Sequence, residues 1–290
     1  MTPAPLLNAD GVEIHRVEEL TIPMFGPGEL FPGFDPARHR LEALPDGHYD
    51  VATNMLVMAS CAYVIKADGA TILVDTGVGN DKPRVREMYA RLSTDWLDRL
   101  ARVVAPGDVD IVVSTHLHVD HVGWNTRLVR GTWEPTFPKA RYLFNEVERT
   151  FVSGPAMAAI VERNGDYVGD SINPVFEAGL AEVVPLPYRI TDSVNLEPGP
   201  GDTPGHLLVR VRAGDRTLAL VTGDAFHHLL QVGDPGLTSR FSALDAESVA
   251  TRERIFEESA RDGVYLLAGH LASGAPMRLE RDGPAYRPRL

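Results

Sequence analysis

A chain of 290 residues with 44% hydrophobic and 23% charged content is long enough to bury a substantial core, read as one large domain. Its formal net charge of −12 sets a mean field that repels phosphate backbones and anionic lipid, which argues against nucleic-acid and membrane partners. No run approaches the ~20 apolar residues of a membrane span, no basic segment leads into an apolar one at the N-terminus, and the single cysteine, Cys61, cannot form an internal disulfide, so the expected compartment is the reducing cytoplasm.

In chain order, residues 22–34, IPMFGPGELFPGF, carry too much proline and glycine for a regular element and are expected as a long surface loop. Residues 55–66 and 70–75 are apolar, β-rich runs separated by ADGA, where Asp68-Gly69 is a hairpin signal, so the two should pair antiparallel. Cys61 lies in the alternating stretch MLVMASCAYVIK, which reads as a half-buried strand and makes it an inert core thiol. In STDWLDRLARVV, residues Trp96, Leu97, Leu100, Val103 and Val104 fall at helical spacing, with Ser93 or Thr94 as N-cap and Pro106-Gly107 as the stop. VDIVVSTH then reads as a buried strand, ARYLFNEVERTFV as a strand passing into a helix, and INPVFEAGL as a short helix. A second hairpin joins HLLVRVRA to TLALVTGD through Gly214-Asp215, followed by the helix ESVATRERIFEESARDG and the strand VYLLAGH. Hairpins followed by alternating helix and strand, twice over, predict an α/β fold of two mixed sheets packed together with helices outside.

The run STHLHVDHVGW, residues 114–124, places three histidines and an aspartate within six positions at the end of a buried strand. Side chains alternate with period two in an extended segment, so His116 and His118 point the same way while Asp120 and His121 lie in the turn beyond. Imidazole nitrogens and a carboxylate are what zinc and similar divalent ions select. Further ligand types stand at the ends of other apolar strands: His206 in GDTPGHLLV, Asp224 in LVTGDAFHH and His270 in YLLAGHLA. Strand ends are where a site built on a rigid sheet collects its residues.

Taken in order, HLHVDH, TPGH, GD and GH, preceded by LVDTG at residues 73–77, resemble the metallo-β-lactamase superfamily. The resemblance runs from about Met55 to His270 and implies a four-layer αββα sandwich, one domain over residues 1–290, with a dinuclear metal site at one edge. Residues 1–50 would be an N-terminal extension or loop that contributes to the pocket or to a homodimer contact. By position, the resemblance implies His116, His118 and His206 as ligands of the first metal and Asp120, His121 and His270 as ligands of the second, with Asp224 bridging. Asp75 matches the family's early aspartate, which orients ligands without binding the metal itself; the alternative is a turn-forming Asp before Thr76-Gly77. Two divalent ions are expected, zinc first, with manganese, iron or cobalt as alternatives. Such a pair lowers the pKa of a shared water and polarises a carbonyl or phosphoryl oxygen, so no Ser or Cys nucleophile is required, and Asp120 can accept a proton from the attacking water.

Within the family, individual residues discriminate between branches. The best-known zinc β-lactamases carry a cysteine where this chain has Asp224, and diiron redox members a glutamate at the position of His118, so both branches are disfavoured. Nuclease members usually carry basic surfaces or an added domain. The expectation is hydrolysis of a small, neutral or apolar ester, a lactone first, with phosphotriester hydrolysis as the alternative and a thioesterase or a non-catalytic metal-binding relative further off. In GDAFHH, His227 stands where acyl-homoserine lactonases tend to have a tyrosine, and resembles the branch of methyl-parathion-hydrolase-type enzymes and their lactonase relatives. His227 is therefore expected to act in catalysis beside the metals; the alternative is that His227 and His228 cap a strand end. Phe25, Phe31 and Phe34, with Trp124 after the metal loop, are candidate pocket walls for an acyl or aryl group, core packing or a dimer contact being equally consistent. His15, His39 and His48 fall outside every motif and are expected as solvated or structural.

Overall fold

Asp68 and Gly69 turn the chain with φ of 52° and 78°, the left-handed geometry of a two-residue hairpin, and Met55–Ala67 pairs antiparallel with Ala70–Val74 across them. The computed structural model describes residues 3–155 and 157–289. This hairpin is the middle of an eight-stranded mixed sheet. On one side Val12–Phe25 runs antiparallel to Met55–Ala67, with Leu7–Ala9 beyond it and Tyr49–Asp50 also against Met55–Ala67. On the other side Ile111–Val113, Arg141–Asn145 and Ala181–Val184 follow in parallel. A five-stranded sheet takes Tyr188–Arg189, Val194–Pro198, Leu207–Ala213, Arg216–Gly223 and Tyr265–Ala268 in chain order, only the last pair being parallel.

Period-two alternation decides what each face meets. Val64, Leu73 and Val112 point from the first sheet towards Trp96 and Leu100 of the helix Trp96–Ala101. Their neighbours Ile65, Ile72, Val74 and Val113 point the other way, against Val209, Val211, Ala219, Val221 and Leu267 of the second sheet. Leu208, Leu220 and Leu266 on that sheet's outer face lie under Ile255 and Phe256 of the helix Asp245–Asp262. The layers are therefore helix, sheet, sheet, helix, and strands buried on both faces read as near-continuous apolar runs. Each fully buried aliphatic side chain contributes roughly 1.5–3 kcal/mol over leaving it exposed, so the inter-sheet layer is a rigid base for whatever the strand ends carry.

Three expectations are corrected. Residues 22–34 are not a surface loop: the strand Val12–Phe25 extends through the first four of them, Pro27–Leu30 forms a helical turn, and Met24, Phe25, Leu30 and Phe31 are buried. Proline is tolerated there because Pro23 sits near the strand's end beside a register shift and Pro27 occupies the first helical position. For the same reason the N-terminal part is no mere extension, since Leu7–Ala9 and Val12–Phe25 belong to the first sheet. The helix at Trp96 starts from Asp95, and the Thr94 hydroxyl that could have capped it donates to Asn80 Oδ1 at 3.2 Å instead. The hairpins Thr126–Val129/Thr132–Pro135 and Arg278–Asp282/Ala285–Arg289 and the helices Met157–Asn164 and Tyr167–Ser171 had no clear periodic signal. Among the described residues no helix is long and apolar enough to cross a membrane.

Candidate metal centre

Parallel pairing brings ligand-bearing ends together. Ala70–Val74 and Ile111–Val113 are parallel neighbours, and so are Arg216–Gly223 and Tyr265–Ala268, so Asp75, His116, Asp224 and His270 all leave C-terminal strand ends. Asp75 adopts left-handed backbone, φ 59°, which a short polar side chain tolerates. From there its Oδ1 accepts from the Thr115 N–H at 2.7 Å and its Oδ2 from His121 Nδ1 at 2.9 Å. His121 thus presents Nε2, 3.3 Å from Asp224 Oδ1. The same device recurs at His270, whose Nδ1 donates to Ala59 O at 2.7 Å while Nε2 lies 3.1 Å from Asp224 Oδ2. Asp75 thus fixes the orientation of the His121 ring.

Two groups of donor atoms face one another across Asp224. His116, His118, Asp202 and Asp224 form one, and Asp120, His121 and His270 the other, the atoms within each lying within 4.8 Å of one another. His116 Nε2 and His118 Nδ1 stand 2.9 Å apart, and Asp202 Oδ2 is 3.4 Å from the first and 3.0 Å from the second. Among the described residues, His121 Nε2, Asp224 Oδ1 and both Asp202 oxygens are buried without a hydrogen-bond partner. A buried ionised carboxylate left in that state costs several kcal/mol, so the donor set calls for cations at the points where these atoms converge. Mixed imidazole and carboxylate donors fit a pair of divalent transition metals.

The electrostatics suit that occupancy. Burial, reinforced by His121 and His118, holds His116 well below the usual imidazole range and so in the neutral, ligating form. Burial pushes the Asp224 carboxyl up, but His270 and His121 outweigh it and hold it well below the usual carboxylate range. Burial opposes charge on His270, yet Asp224 and Asp120 keep its pKa up at about 9, so a cation binding at Nε2 would displace a proton. Asp224 is thus a fixed negative charge between the two groups, as a bridging ligand must be.

His206, an expected ligand, lies outside the two donor groups. Its Nδ1 donates to Gly199 O at 2.8 Å, and its Nε2 accepts from the Asp224 N–H at 3.0 Å. Both ring nitrogens therefore meet backbone atoms. The approach needs Gly223, whose φ is +47° and where a Cβ would stand 2.6 Å from His206 Nε2. Asp202, four residues earlier in the same GDTPGH stretch, faces His116 and His118 instead. The sequence signal for it was an aspartate flanking the same Pro-Gly turn. Glu148, on the helix Glu146–Val152, was also unforeseen: its Oε1 accepts from Leu117 N–H at 2.9 Å and its Oε2 from Gly205 N–H at 3.1 Å, tying the two ligand loops together.

His227 lies beside the centre. Its Nε2 is 3.3 Å from Asp224 Oδ2 and 3.5 Å from Asp202 Oδ1, neither ring nitrogen has a hydrogen-bond partner among the described residues, and the ring stacks on His270 at 5.6 Å. Asp120, His118, His227 and His270 reach the wall of a cavity that Met24, Phe25, Met58 and Phe241 line with apolar surface. Tyr89, another residue the sequence did not single out, enters it and donates to Asp120 Oδ2 at 3.1 Å. Of the four expected pocket aromatics, only Phe25 is there. Phe31 is fully buried in the core, Phe34 stacks on His39 at 5.5 Å, and Trp124 packs on Trp96 with its Nε1 donating to Glu19 Oε1 at 2.7 Å. His228 holds His48 O at 2.9 Å, His39 pairs with Asp234 at 2.9 Å, and His15 is buried, so these histidines are structural and none is solvated.

The sequence matches the family model described as the metallo-beta-lactamase superfamily over residues 57–270. No curated protein matches it. Among solved structures the chain is similar to hydrolase AbOPH of the beta lactamase superfamily, at 21% identity and a TM-score of 0.81, covering 97% of this chain and 95% of that one. It is similar to AidC, a dizinc quorum-quenching lactonase in complex with a product, at 16% identity and a TM-score of 0.77, covering 98% and 95%. A probable metal-dependent hydrolase from Staphylococcus aureus has 17% identity and a TM-score of 0.74, covering 98% and 99%. At these identities the likeness is one of fold.

Proposed function

Because the chain belongs to the metallo-beta-lactamase superfamily, we propose that it is a dinuclear metal-dependent hydrolase of a small ester, with a lactone as the favoured substrate. The observation that carries this reading is the pair of facing donor groups around Asp224, set in the wall of a cavity with apolar surface. A lactonase among the structures of like fold supports the substrate class. When bound, a divalent pair supplies an acidified water and polarises the scissile carbonyl.

The chain's own residues do the rest. Met24, Phe25, Met58 and Phe241 exclude water and receive an apolar acyl or aryl arm. Arg86 stands over the Phe25 and Phe241 rings at 5.6 and 5.3 Å, holding both in place. Asp120, steadied by Tyr89 Oη, can take a proton from the attacking water, and His227 can donate a hydrogen bond to the substrate oxygen or leaving group.

The test is turnover of a lactone, aryl-ester, phosphotriester and β-lactam panel by the metal-reconstituted protein. Lactone or aryl-ester hydrolysis that chelation abolishes is the expected result. Turnover that persists without metal, or that appears with β-lactams alone, overturns the reading, and phosphotriester turnover alone would move it to the neighbouring branch.

A further inference from the structure

Two cations reach the cavity without a partner. Apart from the groups gathered around Asp224, the charged side chains of its wall are Arg86 and Arg163. Among the described residues neither guanidinium stands within ion-pair distance of a carboxylate, although the chain has 40 acidic residues against 28 basic ones. Arg84, two positions before Arg86, shows the other outcome: Asp170 takes both its terminal nitrogens, at 2.6 and 2.8 Å. Local structure fixes where the two free cations stand. Arg163 lies in the last turn of the helix Met157–Asn164, and Gly165 beyond it has a φ of +87°. A Cβ there would lie 2.7 Å from Pro83 O, so only glycine lets the helix end close on the segment that carries Arg86. Val85 N–H then donates to Asn164 O at 3.4 Å, and the buried Arg84–Asp170 pair holds the same segment from the next helix, Tyr167–Ser171.

We infer that Arg86 and Arg163 bind a carboxylate at the outer end of the substrate's acyl or aryl arm, so that the ester or lactone cleaved at the metal centre is an acidic one. Arg86 is half-buried, with its guanidinium over the rings of Phe25 and Phe241. A cation in that position still has N–H donors to satisfy and no carboxylate of the protein to receive them. Met24, Phe25, Met58 and Phe241 take the apolar length of the arm, and a planar carboxylate at its end matches the guanidinium fork. An arm that is apolar throughout leaves both forks without an acceptor. Arg86, set among apolar walls, carries the larger share, because Arg163 is exposed and water screens it. The net charge of −12 repels anions at long range, so this recognition is short-range and belongs to the two guanidinia.

The inference rests on the ester hydrolysis proposed above, and two measurements keep their failures apart. In the first, metal-reconstituted protein is given pairs of lactones and aryl esters whose arms end either in a carboxylate or in the isosteric carboxamide. The wild type should favour the carboxylate by at least about tenfold in kcat/KM, expressed in KM, with the preference shrinking as salt is added. Arg86→Gln should bring that ratio close to unity, and Arg163→Gln should lower it by about threefold. Because each variant is read as a ratio between two substrates, a general loss of activity does not imitate the effect. In the second, calorimetry on the same protein compares dicarboxylates from glutarate to azelate with monocarboxylates of equal length, which tests the remote carboxylate without turnover. At the best length the second carboxylate should tighten binding about tenfold in the wild type and little in Arg86→Gln. Equal handling of carboxylate and carboxamide, a preference that survives both substitutions, or no gain from a second carboxylate at any length overturns the inference. A gain in calorimetry that Arg86→Gln removes, with no ester turned over, keeps the carboxylate subsite and takes down only the proposed reaction.

Discussion

His121, His270 and His206 each direct one ring nitrogen to an oxygen acceptor, on Asp75, Ala59 and Gly199, whereas His227 has no hydrogen-bond partner at either nitrogen among the described residues. Only its backbone is tied down, the N–H donating to Gln231 Oε1 at 2.7 Å. A ring held in position by stacking on His270, with an unengaged nitrogen at the cavity wall, is poised for an interaction made in the transition state. His227→Ala should therefore lower kcat by roughly 10²–10⁴, the range for a positioned acid or base, while two metals remain bound. His228→Ala is the neighbouring control, since that ring is occupied with His48 O. Unchanged kinetics in His227→Ala would return it to packing, and loss of metal would make it a ligand.

At the scale of elements, the strand Val12–Phe25 carries Glu19 to the back of the metal loops. Its carboxylate accepts from Val78 N–H at 2.6 Å, Gly79 N–H at 3.1 Å and Trp124 Nε1 at 2.7 Å, joining the Asp75–Gly79 turn to the loop after His121. Burial outweighs those bonds and raises its pKa from 4.5 to about 7. An acid whose pKa is raised on folding favours the folded state below its unfolded value, and that contribution fades as pH rises through 4.5 towards about 7. Glu19→Gln lacks the loss, so its stability relative to the wild type should improve between about pH 5 and pH 8, by about 3 kcal/mol at most. A gap between the two proteins that does not change with pH would contradict this. Residues 22–25 of the strand were expected as loop because Pro23, Gly26, Pro27 and Gly28 mask a pairing that depends on Met55–Ala67 lying alongside.

Across the whole molecule, the two sheets hold mutually repelling and unpartnered groups at one edge, and cations that bind the folded chain but not the unfolded one relieve them. Ions at about a thousandfold excess over Kd stabilise by about 4 kcal/mol per site. Reconstitution should therefore raise Tm by on the order of 10 °C, and Asp224→Ala, which removes the shared ligand, should abolish most of the rise. Differential scanning calorimetry of both proteins with and without metal is the measurement; an equal rise in Asp224→Ala would mean that the ions bind elsewhere.

The alternation of apolar residues, the Asp68-Gly69 and Gly214-Asp215 turns and the polar residue types at strand ends made the two-sheet fold and the gathering of imidazoles and carboxylates around Asp224 legible, because each is a local pattern with a local cause. Orientation was not local. His206 and Asp202 share one six-residue stretch, and nothing in its spacing says which side chain lies against His116 and His118. That was decided by Gly199 O and the Asp224 N–H, which capture the His206 ring, and by Gly223, whose missing side chain lets the ring approach. Likewise Trp124 faces Trp96 and Glu19 and not the cavity, while Tyr89 enters it from a segment without periodicity. Residue type and period are written in the chain, but the direction of a polar side chain at a strand end depends on partners that only packing brings within hydrogen-bond distance.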